Sequence, residues 1–138
     1  MLRGRRARPA HRGAQSPQGP QGPVGTALAY AQVNAGTPSF VAARTSGFSA
    51  VTRPAGGRYC LALDGALVGQ AFSGGNPTRP TVASVEYGNT TNPGDPTLNV
   101  EVRGDSGDCP PNPPNTFEVL TFRNGVFTND VSFTLIVP

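Results

Sequence analysis

Short segments in which apolar and polar residues alternate follow one another from residue 26 to the end of the chain. The clearest segment covers residues 97–103, where Leu98, Val100 and Val102 share one face and the residues between them are polar. A period of two is typical of antiparallel strands with one buried face. The same alternation groups further residues on single faces: Tyr59, Leu61 and Leu63; Ala83, Val85 and Tyr87; Val131, Phe133, Leu135 and Val137.

Four further segments are strand candidates, and none shows a sustained helical period: 27–34, 39–44, 47–53 and 116–123. Asn124-Gly125 predicts a tight hairpin, because this pair accepts the positive φ values of a type I′ turn, and it sets Phe122 against Phe127. Segments 73–80, 88–96 and 104–115 are dense in Gly, Pro, Asn and Asp and predict loops. About eight or nine short strands at this spacing predict an all-β fold, an antiparallel sandwich or jelly roll.

The first predicted strand has a face of small side chains, formed by Ala27, Ala29 and Ala31. Such a thin face suits close packing near a symmetry axis. It is equally compatible with a weak strand at the edge of a sheet.

The first 25 residues have a different pattern, with glycine and proline recurring in a three-residue phase. The phase includes Gly13, Gly19, Gly22 and Gly25, and it runs without interruption from Gly19. In a collagen triple helix only glycine fits at the crowded axis, so the repeat implies three chains side by side. The alternative is a disordered arm rich in Pro, Gly and Gln. We therefore divide the chain into a basic, collagen-like or disordered arm at 1–25 and a β-sandwich domain at 26–138.

Positive charge is concentrated in the arm. The chain has a net charge of +3, but five of its eleven arginines lie in the first twelve residues. From residue 26 onward six arginines face eight carboxylates, which gives a net charge of −2. The domain therefore has no basic face for nucleic acid, and its apolar runs are too short for membrane insertion. The basic residues of the arm are interpreted as a solvated charge run.

The two cysteines, Cys60 and Cys109, are either bonded or free. Their spacing is not that of a metal site. We favour a disulfide, because an exposed thiol at Cys109 would be a liability for a secreted domain. A disulfide implies an oxidising compartment, hence an extracellular or cell-surface location. Since no export signal follows Met1, we expect the natural N-terminus to lie upstream.

The loop Gly104-Asp105-Ser106-Gly107-Asp108 resembles the nucleophile loop of chymotrypsin-like serine proteases. Serine catalysis needs a base, yet the single histidine is His11 in the arm and the chain has no lysine. The aspartates of this loop also suggest calcium. We interpret the loop as a turn, and predict no metal site.

The remaining carboxylates are scattered along the chain. Glu86, Glu101 and Glu118 fall on polar positions of separate strands, where we expect them to solubilise the wet face of a sheet. Asn89-Thr90-Thr91 fits the acceptor pattern for N-glycosylation. We predict no enzyme activity and no cofactor.

A collagen-like segment followed by about 110 residues of short strands resembles the C-terminal end of bacterial collagen-like surface or secreted proteins. There, as in the complement-type and tumour-necrosis-factor-like families, a β-sandwich head caps a stalk and trimerises. The last strand, 131–138, is similar to the apolar terminal strand of those heads. Segments 29–34 and 58–61 are similar to segments of exported actinobacterial proteins.

The resemblance implies a structural or interaction protein that forms a homotrimer at the end of a fibre. Its loops would meet a host or surface protein or a glycan. Alternatives are a monomeric carbohydrate- or protein-binding module and the tip of a phage tail fibre.

Overall fold

A computed structural model describes residues 27–103, 109 and 116–138. Within them the chain forms eleven β-strands, one short α-helix and two 3₁₀-helices. The strands are β1 Ala29–Asn34, β2 Ser39–Phe40, β3 Phe48–Ala55, β4 Arg58–Leu63, β5 Phe72–Ser73, β6 Asn76–Pro77, β7 Val82–Val85, β8 Leu98–Arg103, β9 Thr116–Arg123, β10 Val126–Phe127 and β11 Phe133–Val137. The helix α1 covers Val68–Ala71, and the 3₁₀-helices cover Ala42–Arg44 and Gly65–Leu67. The prediction of an all-β fold is confirmed.

Two antiparallel sheets form the sandwich. Sheet A has four strands in the order β2-β1-β11-β7. Sheet B has the order β3-β4-β9, with β8 on the other side of β9, and the short β10 folds back on the end of β9. A separate hairpin is formed by β5 and β6.

The chain alternates between the sheets, so that its first and last long strands become neighbours. It passes from sheet A (β1, β2) to sheet B (β3, β4), returns for β7, crosses again for β8 to β10, and ends in sheet A with β11. In the register, Ala29 lies opposite Val137 and Val33 lies opposite Phe133. Since β1 and β11 run antiparallel in the interior of sheet A, the start of β1 and the end of β11 share one end of the sandwich.

The core lies between the sheets and consists of the apolar positions of the alternating strands. Tyr59 packs edge-on against Phe133 with ring centroids 5.1 Å apart. Phe72 packs against Phe117 at 4.8 Å. The face predicted for the last strand is confirmed, since four of its residues are fully buried: Val131, Phe133, Leu135 and Val137.

The hairpin after β9 was correctly predicted. Asn124 and Gly125 have φ values of 54° and 73°, as a type I′ turn requires. Phe127 lies opposite Phe122, and their stacked rings are 4.7 Å apart.

The predicted strand boundaries differ from the structure at two places. The strand expected at 39–44 stops at Phe40, and a 3₁₀-helix follows, with the Val41 amide donating to the Gln32 carbonyl at 2.9 Å. The strand β7 ends at Val85, so Tyr87 is exposed and does not extend the inward face. Segment 73–80, predicted as a loop, contains most of the β5–β6 hairpin, whose turn uses positive φ at Gly74 and Gly75.

Two alanines of the predicted thin face, Ala29 and Ala31, point into the core and not toward an external axis, whereas Ala27 lies before β1 and is exposed. Ala29 and Ala31 are buried, and β1 is an interior strand, so both interpretations of its thin face are wrong. The reason is close approach: a Cβ on Gly47, which has φ of +80°, would lie 2.8 Å from the Ala29 Cβ. Small side chains at the start of β1 leave room for this turn.

Candidate functional site

The two ends of the sandwich carry different segments of the chain. We call the end where β1 begins and β11 finishes the entry end, and the opposite end the far end. Segment 73–80 lies at the entry end, because Val82 pairs with Ile136 and Arg79 Nη1 donates to the Pro138 carbonyl at 2.6 Å. Segment 88–96 lies at the far end, where the Thr91 amide donates to the Asp130 carbonyl at 3.0 Å. The two segments, both predicted as loops, therefore lie at opposite ends of the sandwich.

The outer face of sheet A, the side turned away from sheet B, bears an exposed apolar row. Tyr30, Ile136 and Val82 lie side by side on β1, β11 and β7 in the strand register. Their exposed fractions are 43%, 45% and 61%. Adjacent strands are about 4.8 Å apart, so the three side chains form one continuous patch.

A polar row runs beside the apolar row, one step toward the far end. Gln32, Thr134 and Ser84 are neighbours in the register, and the Thr134 and Ser84 hydroxyls are hydrogen-bonded at 2.7 Å. Arg44 Nη1 donates to Gln32 Oε1 at 3.0 Å. A groove of about 280 Å³ lies between Tyr30, Arg44 and Ile136. The polar groups that border the groove are thus already hydrogen-bonded within the chain.

Sequence reasoning missed this face, although a signal was present. The strands β1 and β11 have apolar residues at both their inward-facing and their outward-facing positions. Tyr30 lies between two alanines, and Ile136 lies between Leu135 and Val137. Strands that are covered on both faces have such continuous apolar runs. We assigned only the inward set and made no interpretation of the outward one.

The outer face of sheet B is closed in its middle by the predicted disulfide. Cys60 and Cys109 are bonded, with their Cα atoms 5.7 Å apart, and Cys109 is buried. Cys60 lies opposite Glu118 and Arg58 lies opposite Leu120, on the side of the sheet away from the core. The disulfide anchors Cys109, from the connection between β8 and β9, to this face.

Burial on this face corrects one prediction. Glu118 is only 1% exposed, although we expected it on the wet side of a sheet. Leu120, on the same side, is also 1% exposed and lies outside the main core cluster. The alternation along the strand correctly predicted that Glu118 points away from the core. It could not indicate that part of this face is covered.

The loop at the far end is held by buried hydroxyls. The Ser132 amide donates to Thr90 Oγ1 at 2.9 Å, and Ser132 Oγ donates to the Asn89 carbonyl at 2.9 Å. Asn89, of the glycosylation pattern, is exposed, and its side-chain amide donates to Glu86 Oε2 at 3.1 Å. The loop is therefore fixed to the start of β11 at several points.

A cluster of ion pairs lies at the far end of the sandwich. Arg123 lies 2.6 Å from Asp95 Oδ2 and 3.3 Å from Asp130 Oδ2, and it also donates to the Thr91 carbonyl. Hydrogen bonds from Thr97, together with the nearby Arg123, lower the pKa of Asp95 from its ordinary value of 3.8. These two carboxylates, scattered in sequence, share one guanidinium, an arrangement that joins the loops of both sheets.

Several predicted features lie outside the described residues. They are the repeat glycines Gly13, Gly19, Gly22 and Gly25, and the loop containing Asp105, Ser106 and Asp108. In the part that the structure describes, no group of three or more His, Cys, Asp or Glu side chains is placed to hold a metal ion. Nor do the described helices include one long and apolar enough to cross a membrane.

Compared with known proteins, the chain matches no family model, no curated protein and no solved structure.

Proposed function

We propose that this chain is a structural protein whose β-sandwich is a trimerising head for a collagen-like strand. One observation carries the proposal: the Gly-Pro repeat reaches Gly25, and β1 begins at Ala29, next to the exposed apolar row. Three collagen strands have to be gathered before they can wind. A head that associates beside the point of entry would gather them and lower the entropy cost of starting the helix.

The disulfide supports a location outside the cell. Bonds of this kind form and persist in oxidising compartments. We propose an extracellular or cell-surface fibre, with the far end of the sandwich turned away from the stalk.

Sedimentation of the full chain over a range of concentrations tests the proposal. We expect a trimer whose circular dichroism includes the signal of a triple helix. The matched control replaces Gly19, Gly22 and Gly25 together by Ala, which should remove the triple-helix signal and leave the head associated, because alanine does not fit at the helix axis. A wild-type chain that stays monomeric at every concentration would contradict the proposal.

The fixed loop at the far end favours a second candidate, a monomeric binding module. The exposed Tyr87 sits beside a loop that is held by Thr90 and Ser132. Rigid loops that present an aromatic side chain are typical of binding sites for proteins and glycans. The same sedimentation experiment separates the candidates, since the module would act as a monomer.

A further inference from the structure

We infer that copies of this chain meet through the outer face of sheet A, with the apolar row of Tyr30, Ile136 and Val82 at the centre of the contact. The inference rests on the proposed function, because it takes the three chains to be gathered at the entry end. It goes further by naming the surface and its occupant, a second copy of the same chain.

The length of chain between the repeat and the sandwich limits which surface can meet. Gly25 and Ala29 are four positions apart, which is at most about 14 Å when fully extended. In a triple helix the three chains share one narrow axis. Each head must therefore bring the start of its own β1 close to that axis.

The topology decides which part of β1 faces the neighbouring copies. The strand is paired with β11 along one side, while β2 and the Tyr30–Ser46 bridge occupy the other. Its inner face is buried against sheet B. Edge-to-edge pairing through β1 is thus blocked, and the outer face, starting at Tyr30, is the surface that β1 offers.

The chemistry of the outer face of sheet A suits burial. Its exposed apolar side chains lie nearest the entry end, and covering them removes apolar surface from water. The neighbouring polar groups, Gln32, Arg44, Thr134 and Ser84, already have hydrogen bonds to one another. The hydrogen bonds between Thr134 and Ser84 and from Arg44 to Gln32 reduce the cost of burying the Gln32, Thr134 and Ser84 side chains. Arg44 itself is exposed at the border of the groove, where its guanidinium can stay in water.

The other exposed apolar side chains are poorly placed for this role, and one of them, Tyr87, lies at the far end, next to Glu86, whose amide donates to the Ser132 carbonyl. Val126 and Phe127 lie on β10, which pairs with the far-end part of β9 in sheet B. The Phe127 ring already stacks on Phe122 and lies 4.8 Å from the guanidinium carbon of Arg58. Contacts there would hold the far ends together and leave the entry ends apart.

Two exposed valines make a matched test in the full chain. Val82 is 61% exposed in the apolar row, and Val126 is 66% exposed on the opposite sheet. We expect Val82→Arg to weaken association by about 100-fold in sedimentation equilibrium, because a charge would be buried in the contact. Val126→Arg should change it by less than about threefold, as a surface substitution away from the contact. Circular dichroism and thermal unfolding of both variants check that each still folds.

Ile136→Arg is a second disruptive variant, on the central strand of the row. A trimer that survives both Val82→Arg and Ile136→Arg would overturn this inference and leave the proposed function standing. If Val126→Arg dissociates the trimer and Val82→Arg leaves it intact, this inference is also overturned and the proposed function still stands. The contact would then lie on sheet B. A wild-type chain that is monomeric would overturn the proposed function, and this inference with it.

Discussion

The outer faces of the two antiparallel sheets differ in how far their apolar side chains are exposed to water. On sheet B, Leu120 points away from the core and is nevertheless buried, as is Cys60 in the disulfide. On sheet A, Tyr30, Ile136 and Val82 also point away from the core and remain exposed. The middle of the outer face of sheet B, on β4 and β9, is covered, although the outward residues of β3 and β8 are exposed. Sheet A has an uncovered apolar row.

The difference teaches that alternation along a strand defines two faces without saying what either face meets. Contiguous exposed apolar side chains often mark the surface through which a protein meets another molecule. We therefore treat the row on sheet A as a surface for association and the covered part of sheet B as a second, smaller core. Substitutions on each face can test this difference between sheet A and sheet B.

Removing the disulfide should produce the largest loss of stability. In the chain-entropy model a bond across 49 residues contributes about 4 kcal/mol. We expect the double variant Cys60→Ala, Cys109→Ala to lose stability of that order in denaturant unfolding. Hydrogen exchange should rise in β4 and β9, because Cys109 is no longer held on the outer face of sheet B.

The amides of β1 and β11 are the internal control for that experiment. If the amides of β1 and β11 lose as much protection from exchange as those of β4 and β9 under native conditions, the disulfide does not act locally on the outer face of sheet B. The distinction between the two faces would then be wrong.

Leu120→Ala and Ile136→Ala compare the two faces directly. Truncating the buried Leu120 should cost about 3 kcal/mol at every protein concentration, because it leaves a cavity. Truncating the half-exposed Ile136 should cost less than about 1 kcal/mol in dilute solution.

The Ile136→Ala effect should grow with protein concentration, since loss of a contact between copies adds to it. Denaturant unfolding at two widely separated concentrations measures both effects. A concentration-independent effect of Ile136→Ala would count against the contact.

Lowering the pH should have the smallest effect on stability. It should not change the difference in exposure between the two outer faces. The pKa of Asp95 is lowered in the folded state, so its contribution to stability is present above the ordinary value of 3.8. That contribution is lost as the pH falls through the lowered value. We expect the melting temperature to drop below about pH 4.

Asp95→Asn should flatten part of that acid decline, since the variant has no carboxylate to protonate. Asp64→Asn is the matched control, because Asp64 is exposed and lies beside the Gly47 turn at the entry end, away from the Arg123 cluster. If the two variants behave alike, the Arg123 cluster does not contribute to the acid sensitivity. Melting curves from pH 7 to 3 decide this.

Much of the fold was predictable because it depends on local pattern. The long strands were found from their period of two, and the boundaries of β9 agree with the segment 116–123 that we predicted. The Asn124-Gly125 turn was identified from two residues, since few pairs accept its backbone angles. The disulfide was favoured from the chemistry of exposed thiols and is present.

Some strand boundaries and the β5–β6 hairpin were missed at the local level, and two further failures concern contacts between distant segments. Ala29 was assigned a role at an axis or an edge, but its neighbours are the Gly47 turn and the core. Glu118 was assigned to water, but it lies on the covered face of sheet B. No property of either strand indicates which segment will lie against it.

By itself, the sequence determined the type and spacing of the strands, the tight turn, and the change from a basic, Gly- and Pro-rich composition in residues 1–25 to a net charge of −2 in the residues that follow. These are consequences of backbone sterics and of side chains a few positions apart. Only the tertiary structure decided that β1 and β11 are neighbours and that two predicted loops lie at opposite ends. It also decided that Leu120 on the outer face of sheet B is covered while Tyr30, Ile136 and Val82 on that of sheet A are exposed. Such pairings depend on the summed packing of residues about 50 to 100 positions apart, which local pattern does not encode.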